Sequence, residues 1–184
     1  SNHSYVVWPE VPTPVVNGWN LLSVGVVPQS PVKSFLYPSA TSNAFIYQGS
    51  YVPKDSVTHG PGFWLKFNAA QTVQVPGALL DTLDIPVLPG WSIIGSISTP
   101  IPVASITSTP PGLVTSQFFG YTGSYVPLAV IEPGTACWVK CNTGGTLHLS
   151  NDTGAIANAA NSIRIVATNE LPPPPPENTG SQSG

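Results

Sequence analysis

An internal duplication is the feature that most limits what this chain can fold into. The hexapeptide NGWNLL at 17–22 returns as PGWSII at 89–94, which is 72 positions later. Three further segments, YQGSYVP at 47–53, FWLKF at 63–67 and TVQV at 72–75, have counterparts 74 positions later in the same order. Because the order is kept over four segments, coincidence is excluded and the chain consists of one unit present twice.

Each copy reads as a series of short strands. Residues 63–67 alternate between two faces, with three apolar side chains on one and Trp64 and Lys66 on the other, as in a β-strand. Glycine followed by serine at 49–50 predicts a two-residue hairpin turn, and only 30–36 indicates a helical turn. We therefore predict an all-β fold, either a β-sandwich or a pair of small β-barrels. The pattern does not decide between two domains and one fused sandwich.

The repeat boundaries divide the chain into four parts. We expect an N-terminal arm at 1–16, a first β repeat at 17–88, a second β repeat at 89–170 and a proline-rich tail at 171–184. A further strand is predicted at 162–167, after the second repeat.

The low charge of the chain excludes several classes of function. Charged residues make up 7% of the sequence, against about 25% in a typical soluble domain. Such a surface is expected to be covered, either by sugar or by other protein molecules. The net charge is −3 and no two basic residues are adjacent, which argues against nucleic acid because a phosphate-binding surface needs clustered cations. No apolar run reaches the roughly 20 residues that span a bilayer.

Two features of the chain indicate its location. It contains no Met and begins at Ser1, which indicates a processed form that has lost a signal peptide. Together with the low charge, this predicts an extracellular or cell-surface protein.

The N-terminal arm has the character of an edge strand. Pro12 and Pro14 lack N–H donors on the same edge, so the arm can pair through its other edge only. It either docks on its own repeat or leaves to complete the sheet of a neighbouring copy. The residues assigned to this assembly arm are Tyr5, Val7, Trp8, Val11, Thr13 and Val15.

The C-terminal tail contains five consecutive prolines at 172–176. Such a run forms a polyproline II rod of about 15 Å. Its composition and that of the residues after it are typical of a linker.

No catalytic, cofactor or metal site is predicted. Cys137 and Cys141 lie about 13 Å apart if 137–141 is a strand, too far for a disulfide, so we interpret both as core residues. None of the three histidines has ligand spacing with a thiol or another histidine. The triplet at 152–154 is similar to an aspartic-protease loop, but that chemistry needs two carboxylates and no second copy occurs. A Ser-His-Asp arrangement can assemble in space without a linear signature, and no nucleophile motif marks one here. We expect the protein not to be an enzyme.

Motifs across 17–150 resemble the Gly-Trp-Asn-Leu-type repeat modules found in large substrates of the type IX secretion system. The resemblance is carried by GWNL at 18–21, GWSI at 90–93, Phe45 with Tyr47, Phe119 with Tyr121, and the two Trp-x-Lys strands. Glu170, Leu171 and the prolines after them are similar to the linker that precedes the sorting domain in such proteins. The resemblance implies a secreted module and says almost nothing about activity.

Several positions are candidates for attached sugar. The resemblance implies O-glycosylation at Asp followed by Ser or Thr and an aliphatic residue, a pattern that Ser56 and Thr82 fit. Asn2 and Asn151 each begin an N-glycosylation sequon.

The sequence leaves two functional hypotheses open. The first is a structural subunit of an extracellular assembly, a filament or surface layer, whose partners are copies of the same chain joined by strand contacts. The second is a carbohydrate-binding or adhesive module, because exposed aromatic rings stack on sugars. Its platform would be formed by Tyr47, Trp64, Tyr121 and Trp138. If both faces of the Trp strands are buried, as in a fused sandwich, this platform does not exist.

Overall fold

The computed structural model of the chain describes residues 7–152 and 169–176. The predicted strand at 162–167 lies outside the described residues, as do Asn2 and Tyr5. In chain order the strands and short helices are β1 (Glu10–Val15), β2 (Gly18–Leu22), β3 (Val26–Pro28), α1 (Lys33–Leu36), β4 (Ala44–Tyr47), β5 (Tyr51–Lys54), β6 (Phe63–Phe67), β7 (Gln71–Leu79), β8 (Thr82–Val87), β9 (Gly90–Ile94), β10 (Ile101–Pro102), a 3₁₀ helix (Val103–Ser105), β11 (Thr107–Thr109), β12 (Phe119–Tyr121), β13 (Tyr125–Pro127), β14 (Val130–Ile131), β15 (Cys137–Cys141) and β16 (Gly145–Ser150).

Strands β1 to β7 form the first of two sandwiches. One sheet has the order β2-β6-β4-β5, and the other has the order β1-β7-β3. All the pairings are antiparallel. The apolar face of β6, with Phe63, Leu65 and Phe67, packs with Val11 and Val75 of the opposite sheet in one buried cluster. The alternation predicted for 63–67 is therefore confirmed.

Strands β8 to β16 form the second sandwich. Its four-stranded sheet has the order β13-β12-β15-β9, its three-stranded sheet has the order β11-β16-β8, and β10 pairs with β14 beside them. Cys137, Val139 and Cys141 on β15 lie in the buried cluster of this unit, at the positions that the three apolar residues of β6 hold in the first. The all-β prediction is confirmed in its sandwich form, and within the described residues no sheet closes into a barrel.

Each unit begins one strand earlier than the repeat boundaries predict. β1 pairs with β7 of the first unit. β8 pairs with β16 of the second unit over its whole length, from Thr82 opposite Ser150 to Val87 opposite Gly145. The sequence indicates corresponding strands before the two repeats, but not their partners, which lie more than fifty residues away.

The two sandwiches are joined directly by their backbones. Within the described residues, four backbone-to-backbone hydrogen bonds cross between them in two equivalent pairs, in which each unit donates and accepts alike. These are Gly62 N to Ile93 O (3.1 Å), Ala136 N to Leu21 O (3.2 Å), Gly95 N to Gly60 O (2.8 Å) and Ser23 N to Gly134 O (2.9 Å). Such reciprocal contacts indicate that an approximate two-fold axis relates the two units. We call this axis the pseudo-dyad. The molecule is a fused double sandwich.

A buried serine pair supports this junction. The hydroxyls of Ser23 and Ser96 lie 2.8 Å apart with no exposed surface. Ser23 Oγ donates to the Thr135 carbonyl at 2.5 Å, and Ser96 Oγ accepts the Gly134 N–H at 2.9 Å. Because these polar groups satisfy one another, the interior between the units can be closed to water.

Local turn predictions are met only in part. The turn after β4 contains three residues, since Tyr47 pairs with Tyr51, and Gly49 adopts a φ of +84° in it. The prediction of a two-residue turn was wrong, because the last pair of residues between the two strands is Tyr47 with Tyr51 rather than Gln48 with Tyr51. A short helix, α1, begins within the predicted helical turn and ends before Pro38.

The N-terminal arm docks on its own unit. Val11, Thr13 and Val15 are buried, and each lies opposite a residue of β7. The outer edge of β1 carries Pro12 and Pro14, which offer no N–H to another strand. Of the two arrangements that the sequence leaves open, the structure has the one within the same chain. Val7 and Trp8 precede β1 and are exposed.

We expect Val11→Ala to lower the free energy of unfolding by about 1–3 kcal/mol, because it removes two buried methyl groups from the first sandwich. Urea denaturation measures this change. Val7→Ala is the matched control, since Val7 is 85% exposed, and it should change stability by less than about 0.5 kcal/mol. Equal stability of the two variants would contradict the docking of β1 within its own unit.

Candidate functional site

The centre of the molecule is an aromatic interface between the two four-stranded sheets. We use this name for ten rings, five from each unit: Trp19, Phe45, Tyr47, Tyr51 and Trp64, with their equivalents Trp91, Phe119, Tyr121, Tyr125 and Trp138. These side chains project from the faces of the two four-stranded sheets that lie opposite the sandwich cores. The sheets therefore bury both faces.

The contacts across this interface are reciprocal. Trp64 of the first unit meets Tyr121 of the second, with ring centroids 4.9 Å apart, and Trp138 meets Tyr47 at the same 4.9 Å. Both pairs are edge-to-face, the arrangement that the quadrupoles of aromatic rings favour. Each tryptophan thus inserts between tyrosines of the other unit.

The predicted glycan platform is brought together, but in the interior. Tyr47 packs on Trp138 and Tyr121 packs on Trp64 within one cluster, and both tryptophans have 0% exposure. A sugar ring cannot stack on these indoles unless the two sandwiches separate. The prediction of an exposed platform is therefore corrected, and the buried arrangement that the sequence left open is the one present.

The proline-rich tail lies across the rim of the aromatic interface. Tyr51 of the first unit donates its hydroxyl to the carbonyl of Pro174 at 2.5 Å. Tyr125, its equivalent in the second unit, donates to the carbonyl of Pro173. The tail therefore crosses the pseudo-dyad between these two prolines. The sequence predicted a linker here, and no pattern in it identified the tyrosines as its partners.

An ion pair anchors the start of this segment. Lys140 Nζ lies 2.7 Å and 2.9 Å from the two carboxylate oxygens of Glu170, and Trp91 Nε1 donates to the same carboxylate at 3.3 Å. The Lys140 hydrogen bonds, followed by that of Trp91, hold the pKa of Glu170 below its usual range. The carboxylate is consequently charged at neutral pH and pairs with an ammonium beside the indole.

The two tyrosine hydroxyls are suited to donate. Burial raises the pKa of both Tyr51 and Tyr125 above the ordinary phenol value. Trp64 Nε1 donates to Tyr51 Oη at 3.1 Å, so the Tyr51 proton is directed to another acceptor. The equivalent Trp138 Nε1 is buried beside Tyr125 and lowers the pKa of that hydroxyl, but among the described residues it makes no hydrogen bond of normal geometry. The two halves of the site are similar rather than identical.

A hydroxyl, an imidazole and a carboxylate also line up on the outer sheet of the second unit. His148 Nδ1 lies 2.7 Å from Asp84 Oδ1, and His148 Nε2 lies 2.8 Å from Thr109 Oγ1. The sequence did not predict this row of hydrogen-bonded side chains, because its three residues lie on three separate strands. Asp84 is 73% exposed, so water screens the pair, whereas a catalytic triad depends on a buried carboxylate. We interpret these residues as cross-strand surface pairs.

The remaining predicted positions are exposed or buried as follows. Ser56, Thr82 and Asn151 are exposed, which leaves all three accessible to glycosylation. Cys137 and Cys141 are buried free thiols, as predicted. No group of three or more potential metal ligands occurs within residues 7–152 and 169–176.

The fold and the site define the class of this protein: an all-β double sandwich with an aromatic junction that holds a proline-rich tail. No family model, curated protein or solved structure matches the chain. In the part of the chain that the structure describes, every helix is too short or too polar to cross a bilayer.

Replacing either central indole is expected to destabilise the protein rather than to affect sugar binding. Trp64→Ala and Trp138→Ala should each lower the free energy of unfolding by about 3–5 kcal/mol, because each empties a fully buried position. Chemical denaturation with near-UV circular dichroism measures the loss. Trp8→Ala, at an exposed position before β1, is the control. Loss of polysaccharide binding at unchanged stability would instead restore the exposed platform.

The cysteines should be unreactive in the folded protein. Burial raises the pKa of Cys141 to about 12 and that of Cys137 further. At pH 8 very little of Cys141 is then in the thiolate form, which is the reactive one. A disulfide-exchange reagent should label both thiols quickly in denaturant and neither in buffer. Rapid labelling of the native protein would show that β15 is more open than described.

Proposed function

We propose that this chain is a structural subunit of an extracellular assembly, such as a filament or a surface layer, and that it acts without catalysis. Its proposed partners are copies of the same chain, and glycans attached to exposed positions would add further cover. The observation that carries the proposal is the aromatic interface, which turns a duplicated unit into one rigid body. A rigid body with few charges is suited to transmit load or to set a spacing.

The rings that usually mark a ligand site are used for internal contact. Trp64 and Trp138 have no surface left for a substrate or a sugar. The alternative of a carbohydrate-binding module therefore loses the platform on which it depended, and we do not pursue it.

The exposed apolar surface supports contact between copies. Two grooves meet along the outer prolines of β1 and share Pro14, Glu132 and Thr135. One of them, about 290 Å³, also includes Val130, and the other, about 530 Å³, includes Leu79. Leu79 is 59% exposed. Exposed apolar side chains of this kind, gathered beside a groove, are typical of interaction surfaces.

The sheet edges favour contact through side chains rather than strand addition. Several edge strands carry a proline, including β1, β5 with Pro53, β8 with Pro86 and β13 with Pro127. Proline at an edge reduces the N–H groups available to a further strand. The proposed assembly therefore uses the apolar grooves, and the docked arm stays within its own chain.

Assembly is tested on the purified protein at full length. We expect sedimentation and electron microscopy to show particles that grow with concentration, and Leu79→Glu to shift them towards monomers by placing a charge in the contact. Phe35→Glu, at an exposed position on α1 outside both groove linings, is the matched control. A wild-type protein that stays monomeric at every concentration would end the structural-subunit proposal.

A further inference from the structure

Residues 169–176 lie along the rim of the aromatic interface, and we call the surface that they contact the groove. Pro172 and Pro176 are buried, and Pro174 between them is exposed. The segment is thus packed against the protein at both ends of its proline run. We propose that this groove is a recognition site for polyproline II segments preceded by a carboxylate, with the chain's own tail as its occupant in this structure.

The chemistry of the groove matches this class of ligand. A polyproline II helix makes no internal hydrogen bonds, so its carbonyls are free to accept. Tyr51 and Tyr125 supply donors to two consecutive carbonyls, those of Pro174 and Pro173. Aromatic-lined grooves that bind such helices use the same combination of flat rings and a few fixed donors.

The two tyrosines of the groove are also held by contacts that do not involve the tail. Tyr51 is held by the Trp64 N–H and by edge contacts with Tyr47 and Trp138, with centroids 5.2 Å and 6.4 Å away. Tyr125 has the equivalent contacts with Tyr121 and Trp64, at 5.3 Å and 6.4 Å. A polyproline segment is also stiff. Since neither partner has much conformational entropy to lose, few contacts are needed for binding.

A carboxylate sets the direction of the ligand. Lys140 and Trp91 at one end of the groove hold Glu170, three positions before Pro173. Their equivalents across the pseudo-dyad are Lys66 and Trp19, and there Lys66 lies over the Trp19 ring at 5.7 Å. The two lysines occupy the same place in their own units but differ in what they contact. Lys66 is therefore the matched control for Lys140.

The experiment uses a full-length variant in which Glu170 is changed to Gln and residues 172–176 are changed to Gly-Ser-Gly-Ser-Gly, so that Lys140 and both tyrosine hydroxyls lose their partners in the tail. Near-UV circular dichroism first establishes that the aromatic interface of this variant is intact. A synthetic peptide of residues 169–176 is then titrated, and binding is followed by the NMR signals of the tryptophan indoles. We expect saturable binding, with the Trp91 indole among the shifted signals.

Substitutions then distinguish specific recognition of the peptide from nonspecific binding. Lys140→Ala in the protein, or Glu170→Gln in the peptide, should weaken binding about two- to fivefold, as expected for an exposed ion pair. The two changes combined should cost little more than either alone. Tyr125→Phe and Tyr51→Phe should each weaken binding about two- to tenfold through the lost hydrogen bond. Lys66→Ala and Tyr121→Phe should leave the affinity unchanged.

The wild-type chain provides a further control. Its own tail should compete, so the added peptide should bind the wild type at least tenfold more weakly than the variant. The proposal is overturned if the folded variant shows no saturable binding at millimolar peptide. It is also overturned if the wild type binds equally well, or if Lys66→Ala weakens binding as much as Lys140→Ala. The site goes beyond the structural role proposed above and stands or falls independently of whether copies assemble.

Discussion

The insertion of Trp64 and Trp138 into the opposite unit is the interaction on which the rest of this structure depends. Each indole projects from the outer face of a four-stranded sheet, where an isolated sandwich would expose it to water. Pairing the two units buries both rings at once, and the reciprocal backbone bonds at Gly62 and Ala136 fix the relative position of the sheets. Burying such large aromatic surfaces stabilises the pair strongly. The duplication is therefore a structural requirement, since one unit completes the other.

The same burial explains why the tail is held. The hydroxyls of Tyr51 and Tyr125 reach the rim of the interface, while their rings make edge-to-face contacts with tryptophans of the other unit. A hydroxyl fixed in this way is a precise donor, and the proline segment presents two carbonyls at the right spacing. Lys140 and Glu170 then select one end of the groove. The linker is consequently part of the folded body up to Pro176.

Proline residues at the sheet edges compensate for the low charge of the chain. With few ionic groups to repel other chains, exposed sheet edges would favour uncontrolled pairing, and prolines on the outer edges of β1 and β8 reduce this risk. Apolar surface is left in the grooves beside β1 instead. An assembly that uses these grooves would depend on complementary surface shape rather than on hydrogen bonding between exposed edge strands.

Sequence alone determined the duplication, the all-β class and the core position of the cysteines, because these follow from local alternation and from matching segments. It also placed Trp64 and Trp138 opposite the core face. It did not decide what covers that second face, because alternation distinguishes two sides of a strand without saying whether water or protein lies beyond. The contacts of β8, the line from Thr109 through His148 to Asp84, and the docking of the prolines on Tyr51 and Tyr125 all join residues distant in the chain. Only the tertiary structure decided them, since each depends on strands or segments that come together only in the folded chain.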